Sequence, residues 1–215
     1  ASENDALPGG KVGGIGDVVR DIPPALAKEG HQVNVITPGY GVFSQLPGAE
    51  FQDSVEVLFT GKREIIDLFK VVGKKSHEQV QLWVLEHPLF ASGGIGGIYC
   101  DDLSNRPFAT DATKFALFCS AVCQTIEKDY FGTLDVLHLH DWHAAIVAML
   151  LAYDPQYHTL QTIHTVFTKH NLALQGIRPI AGDDSSLETW FPQLAYDEGP
   201  IHDPRVSHCV NLMST

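Results

Sequence analysis

The sequence predicts an α/β fold in which a parallel sheet carries helices on both faces, with a small antiparallel excursion of hairpins. Three observations carry this. Short apolar, β-branched runs at residues 31–37, 134–139 and 165–169 read as buried strands. A long run at residues 111–130 and a face made by Val18, Val19, Ile22 and Leu26 carry helical periodicity, and residues 141–153 read as a further helix. Strands and helices alternate, the pattern of a parallel sheet with right-handed crossovers.

In chain order, the first helix follows a glycine loop, is interrupted and kinked at Pro23-Pro24, and closes at Gly30. The strand at 31–37 ends at Pro38-Gly39. Residues 55–60, 65–72 and 80–85 alternate apolar and polar positions between Gly-Lys and Gly-Lys-Lys turns, and read as the hairpin excursion. Residues 92–97 read as a flexible glycine loop leading to Tyr99. The helix at 111–130 turns Ala112, Phe115, Ala116, Phe118, Cys119, Val122 and Ile126 inward. The strand at 134–139 runs abruptly into the helix that begins at Asp141, and a short helix is predicted near 185–190.

The 215 residues, 44% apolar, suffice for a well-buried core. A net charge of −12 speaks against a nucleic-acid footprint but allows a local anion pocket. No apolar run approaches the roughly 18 residues that span a bilayer, and no signal-peptide pattern is present. Cys100, Cys119, Cys123 and Cys209 lack disulfide-framework spacing, which points to a reducing, cytoplasmic setting. The chain opens on Ala1-Ser2-Glu3 directly before the glycine loop and stops at Thr215 without a closing element, so a fragment lacking its first strand is expected.

Three motifs carry candidate chemistry. Lys11-Val12-Gly13-Gly14-Ile15-Gly16-Asp17-Val18 offers a lysine charge, glycines able to adopt positive φ, and the N–H groups of a helix start. Alone it is a weak signal for a phosphate cradle. His138-Leu-His140-Asp141-Trp142-His143 has three readings: a metal site, core histidines with Asp141 capping the next helix, or a polar strand tip facing a ligand. As a binuclear metal site of the His-x-His-x-Asp-His kind, its aspartate falls one place early and tryptophan takes its slot. Third, a strand ends in His170-Asn171 and the turn after it in Gln175-Gly176, offering donors and acceptors suited to sugar hydroxyls.

Together these motifs resemble the bacterial glycogen and plant starch synthases, glycosyltransferase family 5. The resemblance rests on the Lys11–Val18 loop, on Ala25-Leu26-Ala27-Lys28-x-Gly30-His31-x-Val33, on His140-Asp141-Trp142-His143 and on the run from His170 to Gly176, in family order over nearly all of residues 1–180. It implies the N-terminal half of an enzyme built from two Rossmann-like domains, the GT-B arrangement. Such an enzyme transfers glucose from ADP-glucose or UDP-glucose to the 4-hydroxyl of an α-1,4-glucan with retention, needing no metal or cofactor. Carried over, Lys11 would contact the donor phosphates, and the backbone at Gly13 and Gly14 the diphosphate or the acceptor side. Tyr99 would line the sugar region. Asp141 would lie close to the reacting carbon. His170 would hold the transferred glucose through its 6-hydroxyl, with Asn171 in support. Val12 replaces the family's threonine. The second domain's arginine–lysine pair, glutamate and most of the nucleotide pocket have no match here, so the isolated chain is expected to be inactive or nearly so. A non-catalytic glucan-binding or regulatory module and a metal-dependent hydrolase remain as alternatives.

Overall fold

The computed structural model describes residues 1–214. It divides into two compact units, one of Ala1–Val55 with Ile65–Cys100 and one of Glu56–Glu64 with Asp101–Thr215. The fold is α/β, as predicted.

In the first unit, helix α1 (Gly14–Lys28) buries Ile15, Val19, Pro23 and Ala27 on one face. It runs through Pro23 and Pro24 without ending. Glu29 caps it, and Gly30 follows at φ +93°, a left-handed conformation that costs glycine no Cβ clash. Strands β1 (Val33–Pro38), β2 (Glu50–Phe59), β3 (Lys62–Val71) and β4 (Val80–Glu86) form a sheet of order β1-β4-β3-β2. Strands β2 and β3 are joined by Thr60-Gly61, both at positive φ, the conformation of a type I′ hairpin turn; this tip, Glu56–Glu64, is counted with the second unit. In β2, Val55, Val57 and Phe59 point inward while Glu56 and Leu58 are exposed, the alternation of a strand with one solvated face.

Strand β4 differs from expectation. It pairs parallel with β1, Val35 opposite Leu82, and antiparallel with β3, Leu68 opposite Leu85. The segment predicted as part of the hairpin excursion is therefore a central strand of a mixed sheet. Four consecutive buried residues, Leu82 to Leu85, mark a strand covered on both faces.

The second unit contains α2 (Ala109–Glu127), β5 (Val136–His140), α3 (Trp142–Tyr153), β6 (His164–Thr168), β7 (Ile177–Pro179), the one-turn helices α4 (Leu187–Trp190) and α5 (Glu198–Ile201), and β8 (Cys209–Asn211). The predicted parallel layer is realised as two parallel pairs, β1–β4 and β5–β6, hydrogen-bonded in separate sheets. Strands β7 and β8 form a short antiparallel pair that the sequence did not announce. Helix α2 is buried around nearly its whole circumference rather than on one side. Its Lys114 is fully buried and ion-paired at 2.7 Å with Asp111. Cys119 and Cys123 pack in the same helix as thiols, and burial pushes Cys119 up to about 12. Each large apolar side chain buried here, such as Phe115, Ile146 and Trp190, contributes on the order of 2 kcal/mol. Among the described residues no helix is long and apolar enough to cross a membrane.

Glycine is required at Gly10, where an added Cβ would overlap the Asn4 carbonyl, and is dispensable at Gly14, where nothing lies within 4 Å. Gly10→Ala is expected to lower unfolding stability by about 1–3 kcal/mol. Gly14→Ala, at the first helical position, is expected to leave it unchanged or raise it by up to about 1 kcal/mol. Urea denaturation checks both.

Candidate functional site

The glycine loop is folded by the residues ahead of it. Asn4 N donates to Gly10 O, Gly10 N to Leu7 O, and Leu7 N to Asn4 O, closing a tight turn. The chain then passes through Gly13 in extended conformation (φ −128°) and enters α1 at Gly14. None of Gly13, Gly14 or Gly16 adopts positive φ, so the conformational freedom expected of them is not what the loop uses. Close approach is: a Cβ on Gly16 would lie 3.2 Å from a Glu3 carboxylate oxygen and 3.2 Å from Lys11 Cα.

Glu3, which sequence reasoning passed over, is the centre of this loop. It is 2% exposed. Its Oε2 accepts from Val12 N at 2.8 Å and Gly13 N at 2.7 Å, and its Oε1 accepts from the Tyr99 hydroxyl at 2.7 Å. The loop and Tyr99 thus meet on one carboxylate. The segment before Tyr99 is a hydrogen-bonded turn, with Gly96 N on Tyr40 O and Gly97 N on Gly94 O. Lys11 is engaged too: its Nζ lies 2.7 Å from Asp17, within a half-exposed network that adds Arg20, Asp5 and Lys74. A cleft of about 530 Å³ in this unit is bordered by Asp5, Arg20 and Lys74 of this network, with Val19, Pro24 and Leu82 among its other walls, and includes none of the predicted site residues.

In the second unit, β5 and β6 run parallel with His138 opposite Val166 and His140 opposite Thr168. Asp141 follows β5 at φ +54°, a conformation that costs a non-glycine residue about 1–2 kcal/mol. It makes no side-chain cap on α3, contrary to one sequence reading. Instead Oδ1 reaches sideways to the end of β6, accepting from His170 N at 2.7 Å and more weakly from Asn171 N at 3.4 Å. Asp141 is buried, while His170 and Asn171 are exposed. The Asn171 side chain accepts from Ala173 N and shapes its own turn.

The histidines bond to partners rather than converging on a point. His138 Nε2 lies 2.6 Å from Thr168 Oγ1, and His140 Nδ1 lies 2.9 Å from His170 Nε2. In the latter pair one ring donates and the other accepts, so at least one is neutral. Burial pulls His140 down to about 3, and His143 likewise. Among the described residues no group of three or more His, Cys, Asp or Glu side chains is arranged to hold a metal.

The turn after Asn171 is held at its far end. Gln175 Oε1 accepts from Asn211 and Arg205, both also bonded to buried Asp203. Gly176 (φ +63°) lies against the Trp142 indole, where a Cβ would come within 2.7 Å of the ring. Asp141, His170 and Asn171 are therefore brought together in one unit, and Lys11, Gly13, Gly14 and Tyr99 in the other. The strand-end position was the signal for the first group. Glu3 carried none, because a lone side chain bonded to loop amides has no period or spacing.

His140 and His143 are expected to stay neutral from about pH 8 to pH 5, against an unfolded value near 6.5. The sign follows from the lowered folded value: the unfolded chain takes up protons first, so these residues reduce stability as pH falls below about 6.5. Histidine-ring NMR checks this; midpoints near 6.5 at both rings contradict it.

The family model for the starch synthase catalytic domain matches residues 1–215. Among curated relatives, a glycogen synthase of Streptococcus equi subsp. equi is 34% identical over 180 residues, covering 80% of this chain and 34% of the relative. One from Streptococcus gordonii is 33% identical over 215 residues, covering 97% and 40%. The chain thus spans between a third and two-fifths of these relatives' length. In structure it is similar to the catalytic domain of starch synthase IV from Arabidopsis thaliana bound to ADP and acarbose. That likeness has a TM-score of 0.73 at 24% identity, covers 99% of this chain and 41% of that one, and shows a shared fold. With the family model matched from end to end, the chain belongs to the starch synthase catalytic domain family.

Proposed function

We propose that the protein carrying this chain is a glycogen or starch synthase. It transfers glucose from ADP-glucose, or UDP-glucose, to the 4-hydroxyl end of an α-1,4-glucan with retention of anomeric configuration. The observation that carries the reading is the buried Asp141 carboxylate at the carboxyl end of a parallel strand, holding the backbone of His170 and Asn171. Ligands of α/β sheets bind at such ends. Family membership and relatives named glycogen synthase support it, as does a neighbour that holds a nucleoside diphosphate and a saccharide together.

Glycosyl transfer passes through an oxocarbenium-like state while negative charge grows on the leaving diphosphate. A carboxylate near the sugar opposes the first charge, and a cation near the phosphates the second. Asp141 Oδ1 is committed to amides, which leaves Oδ2 for the sugar side. The His170 ring is fixed by His140 through Nε2, which leaves Nδ1 for a hydroxyl such as that on C6. Lys11 takes the donor phosphates. Its exposed pair with Asp17 is worth about 0–1 kcal/mol and yields readily to a polyanion. The backbone at Gly13 and Gly14 borders the diphosphate or acceptor side, Tyr99 the sugar region, and Asn171 supports the His170 contact. The chain is the N-terminal of two Rossmann-like domains, and the second supplies the arginine–lysine pair, the glutamate and most of the nucleotide pocket. The enzyme works in the cytoplasm without a metal or other cofactor.

Glucan extension from ADP-glucose and from UDP-glucose tests this. The full-length protein is expected to turn over one of them, and the 215-residue chain alone neither. Asp141→Asn, which retains an oxygen for the two amides, is expected to lower kcat by about 10²–10³ with little change in KM. Binding of maltoheptaose with no transfer from either nucleotide sugar favours the non-catalytic module instead.

A further inference from the structure

The amides at Val12 and Gly13 are already used. Both donate to a single oxygen of Glu3, at 2.8 and 2.7 Å, so an internal carboxylate occupies the place in the loop where an external anion would seek backbone N–H groups. The other oxygen of the same carboxylate takes the Tyr99 hydroxyl at 2.7 Å, and that hydroxyl also lies 3.2 Å from buried Ser2 Oγ. Residues 2–3 and 12–13 are joined to the distant Tyr99 through one side chain that is 2% exposed. Gly16 has no Cβ to displace it, since one would stand 3.2 Å from Oε2.

We propose that Glu3 is a positioning residue for sugar transfer, fixing the Lys11–Gly14 turn and the Tyr99 hydroxyl relative to each other; this rests on the function proposed above. Charge-assisted bonds of this kind are strong and directional. A buried carboxylate with three donors holds its loop more tightly than a glycine-rich segment holds itself. Two consequences follow. The phosphate-binding charge of the loop comes from Lys11 and the helix start rather than from the Val12 and Gly13 amides. The Tyr99 ring, anchored through its hydroxyl, meets ligand with its face and edge rather than with its O–H.

The test uses the full-length protein and its Glu3→Ala, Glu3→Gln, Tyr99→Phe and Glu3→Gln/Tyr99→Phe variants. Glu3→Ala is expected to lower kcat/KM for the nucleotide sugar by about tenfold or more, a misplacement effect. Glu3→Gln, which keeps one acceptor oxygen for the amides, is expected to lose about threefold. Tyr99→Phe removes the same link from its other end, so the double variant is expected to be no worse than the poorer single one. Trypsin supplies a readout independent of activity: cleavage after Lys11 is expected to quicken in Glu3→Ala while cleavage after Lys62 does not. Wild-type kcat/KM in Glu3→Ala with unchanged cleavage overturns the proposal, as do fully additive losses in the double variant. If Glu3→Ala does not fold, Glu3→Gln and Tyr99→Phe decide by the same additivity. If the wild-type protein transfers no glucose, the functional reading falls and the cleavage rates alone judge the Glu3 clamp.

Discussion

Side-chain carboxylates accepting hydrogen bonds from loop amides hold the candidate-site loops of this fold in place. Glu3 takes two amides of the glycine loop, Asp141 takes two at the end of β6, and Glu86, at the end of β4, takes Gly41 N and the Ser44 hydroxyl. Loops at the ends of parallel strands have no ladder to satisfy their N–H groups. An acidic side chain on the neighbouring segment meets that need with a charge-assisted bond. The arrangement requires space as well as charge: Gly16 and Gly39 are glycines because a Cβ would press against Glu3 and Glu86 respectively. Partial burial pushes the half-buried Glu86 carboxyl up, against the pull of its hydrogen bonds from Ser44 and Gly41.

The acidic balance takes on a different meaning in this light. The sequence has 26 acidic residues to 14 basic ones, which bears on partners only by excluding a basic footprint. In the structure many of those acids turn inward: Asp102 onto Thr110, Asp183 onto Ser185, Asp203 onto Arg205 and Val206. Asp203 lies well below the usual carboxylate range because the Arg205 guanidinium and backbone amides favour its charged form. The same network reaches Gln175 and so fixes the far end of the His170–Gly176 turn. The near end is fixed by Asp141. The turn is thereby held at both ends, the condition a site needs to meet a transition state without reorganising.

What the sequence revealed follows from the range of the forces involved. Helices α1 and α2 were legible because apolar periodicity acts within a few residues, and α3 because its long apolar run exceeds the length of a strand. The strand ends carrying Asp141 and His170 were legible because apolar runs break there abruptly. The central position of β4 was hidden, since its neighbour β1 lies more than forty residues back and an alternating pattern does not name its partner. Strands β7 and β8, three residues each, fall below any period. Asp141 stood before a helix, where capping is the default; its positive φ aims the carboxylate at β6 instead. Glu3 was invisible because its importance lies entirely in partners 9, 10 and 96 residues away.

Residue-resolved amide hydrogen exchange on the wild-type protein tests the central role of these carboxylates most directly. Val12, Gly13 and His170 lie outside every helix and strand, so only the Glu3 and Asp141 bonds can protect them. The account requires their N–H groups to exchange about 100-fold or more slowly than an unstructured chain. Exchange of these three amides at the unstructured rate, with the helices protected, would contradict it.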